Sequence, residues 1–315
     1  MPRWVRPVRP YLALAGTALS IVLASESSAQ EVTSQSPARD ATRNVETVTV
    51  EAPRLKELKR QISHFVSNLA VSYLNDSLER WDTPVCPLVA SLTKDDGEFV
   101  LARISKIART SHAPLGSEHC RANLYIIVTV NPGLYVRRWV KRDPFLLSAC
   151  NGVGYIDDFL RARGPVRVYY NAEFRSAGAA KVPLEATGLA FQSVALGPGL
   201  SPCAAAGGKV DTRISYGVVQ ALTSVIIVVD SERTANINIG QLADYVALIG
   251  LAQIHLNANT GTAPTILSLF RQTDRAPQGL SPWDESFLHS LYTTNQNSVL
   301  QVSAIKAGML EQIAH

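Results

Sequence analysis

The side chains able to do chemistry in this chain are few and widely spaced. His64, His112, His119, His255, His289 and His315 are scattered along 315 residues, and no two stand four apart. That is the separation at which one helix face can offer two imidazoles to a divalent metal. Only His255 follows a long apolar segment closely enough to line a cleft at a helix end; otherwise it is a partly exposed, helix-terminal histidine. Asp244 lies inside that apolar segment and is a candidate base, though an acid in the first turns of a helix is also favoured by the helix dipole. Glu173 closes the stretch Tyr169–Glu173 beside a long Ala-, Gly- and Pro-rich loop, and loops at strand ends often carry sites. Brought together by folding, Asp244, His255 and Glu173 would form the acid–base set of a metal-independent hydrolase. Other templates are missing: there is no G-x-S-x-G elbow, no P-loop, and Gly152-Val153-Gly154 lacks the rest of a dinucleotide fingerprint. The carboxylate pair Asp157-Asp158 reads as a solvated helical turn. No cofactor is expected.

The elements that must position these residues can be read from periodicity. Ser224–Asp230 (SVIIVVD) is a β-branched strand, and a helix follows from Ile239 to about Leu256. Asn238 is a suitable N-cap, with Gln241 placed to close a capping box. Leu242, Val246 and Ile249 make one apolar stripe of this helix. Ala243, Ala247 and Gly250 make a second stripe, of small residues, that lets another backbone approach. Earlier in the chain, Arg54–Tyr73 and Gly97–Thr110 have helical spacing, and Leu124–Val130 (LYIIVTV) is a central strand. Asn131-Pro132 ends that strand and starts a helix. Pro165–Tyr170 and Ile214–Val219 are further strands, with another near Phe191–Leu196 in the loop 175–210. Helices at Pro282–Tyr292 and Val302–Ile313 finish the chain. The fold class is α/β (α+β), a mixed sheet packed against helices with a helical C-terminus.

The order strand, Asp, short loop, then L-A-D-Y-V-A-L-I-G-L-A-Q resembles the active-site helix of secreted zinc metalloproteases of the metzincin type, with their H-E-x-x-H-x-x-G-x-x-H pattern. On that alignment the three metal-binding histidines fall on Ala243, Ala247 and Gln253, the glutamate on Asp244 and the glycine on Gly250. Ser268-Leu269-Phe270 sits where such proteases have their Met-turn. Leu280-Ser281-Pro282-Trp283-Asp284, running on to Leu291-Tyr292, is similar to their closing helix, and Ser281–Asp284 is a capping box in its own right. The resemblance implies a zincin-like scaffold without its zinc ligands. Alanine has no lone pair, so no metal is expected at these degenerate positions, and without one nothing lowers the pKa of a water molecule.

The first residues bear on location. Arg3, Arg6 and Arg9, an apolar run at 11–24 and Ser27-Ser28-Ala29 form an export signal over residues 1–29. The apolar run is too short for the ~20 residues that cross a bilayer, although an uncleaved anchor is the alternative. Residues 30–54 read as a disordered linker or arm. Within them Glu46–Pro53 resembles a TonB box, or is simply an extended edge strand. Residues 55–315 then form a single α/β domain stapled by disulfides. Cys86, Cys120, Cys150 and Cys203 allow three pairings. Cys86 and Cys120 bracket one helix, which favours Cys86–Cys120 and, by elimination, Cys150–Cys203. No C-x-x-C pair favours a metal site instead. Removing the leader takes away three Arg and Glu26 and leaves a charge of +2, too close to neutral to argue for nucleic acid or an anionic membrane. No transmembrane segment is expected after signal cleavage. The expectation is an exported, periplasmic or secreted, non-catalytic domain that binds a protein or peptide of the cell envelope. The alternatives are the hydrolase above, or an accessory of an outer-membrane assembly tethered by residues 30–53.

Overall fold

Strand β5 (Val218–Asp230) is the axis of the fold, and its alternation explains why. Val225, Ile227 and Val229 join one apolar cluster while Ile226 and Val228 join another, so both faces of the strand are covered. The computed structural model describes residues 41–69, 77–143, 146–147, 153–176, 213 and 218–314. β5 pairs in parallel with β1 (Arg80–Trp81) at its start and with β3 (Leu124–Thr129) further on. β2 (Pro87–Ala90) adds to β3 in parallel. On the other side β4 (Val166–Ser176) runs antiparallel to β5, with a register shift between Asn171 and Ala172. The result is a mixed five-stranded sheet packed with helices, an α/β fold as the periodicity implied.

The first face is covered by α3 (Pro132–Arg142) and α4 (Val153–Arg161), through Val136, Ile156 and Phe159. The second carries α1 (Ala41–Leu69), α2 (Lys94–Thr110), α5 (Ile239–Leu251), α6 (Pro282–Thr293) and α7 (Gln301–Ala314). Phe65 of α1 meets Trp283 and Phe287 of α6 edge-on, with ring centroids 5.5 and 6.2 Å apart. The described residues from Thr49 onward belong to one compact unit.

Several sequence expectations change here. Residues 41–54, read as linker, and the Glu46–Pro53 segment, read as an extended arm, belong to α1. The buried stripe Ile62, Phe65, Val66 and Leu69 anchors that helix, and extending an existing helix costs far less than starting one, even through Pro53. The two strands expected at 214–219 and 224–230 are one at Val218–Asp230. α5 stops at Leu251 rather than about Leu256, because Ala252 turns extended to bridge with Arg80. Asn238 caps α5 by accepting from Gly240 N–H (2.7 Å), but Gln241 donates instead to Pro277 O (2.8 Å), so no capping box forms there. The Ser281–Asp284 box does form, with Pro282 in the first turn. Cys86 and Cys120 form a disulfide. Cys150, Cys203, the export signal, residues 30–40 and the proposed strand at 191–196 lie outside the described residues. Among the described residues, no helix is long and apolar enough to cross a membrane.

Candidate functional site

Helix α5 is buried along its length: residues Gln241–Leu251 are all buried. Ala243 and Ala247 have 0% of their surface exposed and Gln253 has 3%. A methyl group added at Gly250 would stand 3.0 Å from Leu124 Cδ1 and 3.5 Å from Ile227 Cδ1, so the missing side chain is what seats the helix on β3 and β5. The small stripe is therefore a packing surface against the sheet, and there is no open groove along it. The carbonyls at the C-terminal end of α5 are satisfied from three directions. Tyr170 donates its hydroxyl to Ile249 O (2.9 Å), Trp81 its indole N–H to Gly250 O (2.8 Å) and Tyr292 its hydroxyl to Leu251 O (2.5 Å). Gly250, the Ser281–Asp284 cap and Tyr292 thus each have a structural role that needs no metal.

Asp244 is fully buried and committed. Arg103 of α2 grips it with two hydrogen bonds, Nε to Oδ1 and Nη2 to Oδ2, the latter 2.7 Å, and Leu280 N–H donates to Oδ2 at 2.7 Å. Gly279 is required beside it, since a Cβ there would fall 2.6 Å from Oδ2. Its two oxygens are thus held by a guanidinium and a backbone N–H that link α5 to α2 and to the segment before α6. The polar cleft it borders, of about 290 Å³, also includes His289 but neither His255 nor Glu173. His255 is exposed just beyond α5, its N–H bonded to Leu69 O (3.1 Å). Glu173 sits on β4 opposite Ala221. None of the three clefts described includes more than one of these candidates. The fold instead brings His289 against His112, ring centroids 4.9 Å apart, a pair 177 positions apart in sequence. Among the described residues no three His, Cys, Asp or Glu side chains are grouped to hold a metal.

Two buried acids stand out for their surroundings. Burial pushes Asp284 up to about 6, against the opposing hydrogen bonds from Thr265, Ile266 and Ser281. Burial alone pushes Glu79 up to about 8, and neither of its carboxyl oxygens has a hydrogen-bond partner. Gln253, just past Ala252 in the bridge to Arg80, also has an unbonded amide.

A larger and more open polar crevice lies elsewhere, where β3 and β5 end. It measures about 610 Å³ and is bordered by Asn131–Gly133 at the start of α3, the 161–163 turn after α4, Asp230 and five arginines: Arg137, Arg161, Arg163, Arg167 and Arg233. Arg167 is buried, 7% exposed, and its Nε and Nη1 have no hydrogen-bond partner. Burial holds its pKa below the ordinary arginine value; nearby Asp230 opposes this, and the charges of Arg137 and Arg233 add to it. The arginines come from segments up to 96 positions apart, so no local motif announces the crevice. The one signal was Asn131-Pro132-Gly133, a helix start directly at a strand end.

Comparison of the chain with family models, with curated proteins and with solved structures finds no match.

Proposed function

We propose that the chain is an exported, non-catalytic domain that binds a protein or peptide of the cell envelope. The observation that carries this is the sealing of α5: Ala243 and Ala247 are inaccessible, and Asp244 is held by Arg103 and Leu280. A hydrolase built on this helix would need an open coordination position or an unencumbered base beside a groove. Neither is present along α5. The zincin-like ancestry implied by the L-A-D-Y-V-A-L-I-G pattern remains part of the proposal and rests on that likeness.

The sheet edge supports the binding half. β2 is paired on one side only among the described residues. Leu124 N–H donates to Cys86 O (3.2 Å), and alternation then turns the N–H and C=O of Val89 outward. Leu88 beside it is 40% exposed. An extended peptide can add there as a further strand, over a short register because β2 has four residues and begins with Pro87.

Peptides selected from a random display library against the purified chain test the proposal. Val89→Pro removes the outward N–H and should weaken their binding about fivefold, since one lost main-chain hydrogen bond at a partly dried contact costs ~1 kcal/mol. Peptides that bind both forms equally, or that come back cleaved, would overturn it.

A further inference from the structure

The arginine crevice is independent of the sheet edge and of α5. Its charges do not cancel. Arg161 is paired with Asp157 on its own helix (3.3 Å) and Arg233 with Asp230 (3.5 Å). Arg137, Arg163 and Arg167 have no acidic partner within bonding distance among the described residues. A buried guanidinium left unpaired is costly, and native proteins offset such a cost with a counter-charge. Arg167 is in that state, and it lines the crevice.

The backbone points the same way. The crevice lies beyond the carboxyl ends of the parallel strands β3 and β5, the position where open α/β sheets hold ligands. α3 begins there. Asn131 takes Leu134 N–H with its side chain (3.0 Å) and Tyr135 N–H with its carbonyl (3.0 Å), and Pro132 has no N–H. Among the described residues, Gly133 N–H is left without a partner at the positive end of an 11-residue helix. The Arg137 guanidinium folds back over this turn, for a Cβ on Gly133 would stand 3.3 Å from its Nη1.

We propose that this crevice binds a phosphate monoester, held between the buried Arg167, Arg137 and the Gly133 N–H at the start of α3. A carboxylate carries one charge and could neutralise one of the three unpaired arginines. A phosphate monoester carries ≈ −1.5 to −2 at neutral pH on three acceptor oxygens, which suits several guanidinium forks at once. A volume of about 610 Å³ leaves room for the organic part of the ester.

Isothermal titration of the full chain at fixed ionic strength, with chloride as the balancing salt, tests this. Glycerol phosphate is the ester probe, inorganic phosphate the free-anion probe and acetate the carboxylate probe. Saturable one-to-one binding of glycerol phosphate is expected, with inorganic phosphate equal or weaker and acetate silent. Arg137→Ala, an exposed position, should weaken it about tenfold or more, as loss of a charge-assisted contact does. Arg109→Ala on α2 should leave it unchanged. Arg167→Met should abolish binding yet melt no lower than the parent without ligand, because it removes an unpaired buried charge and keeps the volume. No saturable heat, equal binding of acetate, or undiminished affinity in Arg137→Ala and Arg167→Met would each overturn the proposal. Inorganic phosphate binding more tightly than the ester would overturn the monoester assignment.

Discussion

Burying a carboxyl group without a hydrogen bond penalises its charged form, so such a residue ties folding to pH. Glu79 is 2% exposed and is displaced from 4.5 to about 8. A folded-state value above the unfolded one means that folding favours the protonated acid. The stability this contributes is complete below about 4.5 and is lost as pH rises through about 8. Glu79→Gln keeps the shape and removes the titration. It should therefore gain on the parent as pH rises, by on the order of 5 kcal/mol at pH 9, and differ little at pH 4. Urea unfolding of the two proteins at both pH values measures this. A gap that does not widen with pH would show that the carboxyl has a partner or water that burial hides. Asp244 differs at this scale: it is equally buried, but a guanidinium and a backbone N–H bond its oxygens.

At the scale of elements, α5 shows what sequence periodicity reveals and what it hides. The stripe of Ala243, Ala247 and Gly250 was legible as a close-approach face, and the structure places that face on β3 and β5. A pattern of small residues does not say whether the surface beside them is another backbone or an open groove; that depends on Leu124 and Ile227, over a hundred and about twenty residues away along the chain. Capping was equally local. The Ser281 box formed because its partners lie within one turn, whereas Gln241 was taken by Pro277 O, a tertiary contact no short window contains. Two helical glycines separate packing from propensity. A Cβ at Gly97 in α2 would meet nothing within 4 Å, so Gly97→Ala should stabilise the protein by ~1 kcal/mol. Gly250→Leu must push into Leu124 and Ile227 and should destabilise it by about 3 kcal/mol. Thermal unfolding of both variants distinguishes them, and a tolerated leucine at 250 would mean that α5 stands off the sheet.

For the whole molecule, the strands and helices between Leu124 and Ile313 were readable because each has its own period and punctuation. The α/β class followed from their sum. The arginine crevice was not readable, since five residues from α3, the turn after α4, β4 and the loop after β5 meet only when the sheet is assembled. The same assembly puts Asp244 on a cleft whose lining includes neither His255 nor Glu173. It also leaves α5 sealed against the sheet, and the proposed binding surfaces at the sheet's edge and end are separate from it. Zinc bound per chain, determined by elemental analysis after equilibration with zinc and removal of the excess, tests this division most directly. Far less than one zinc per chain, with offered peptides left intact, is the predicted result; one tightly held zinc, whose removal by a chelator abolishes a peptidase activity, would contradict it.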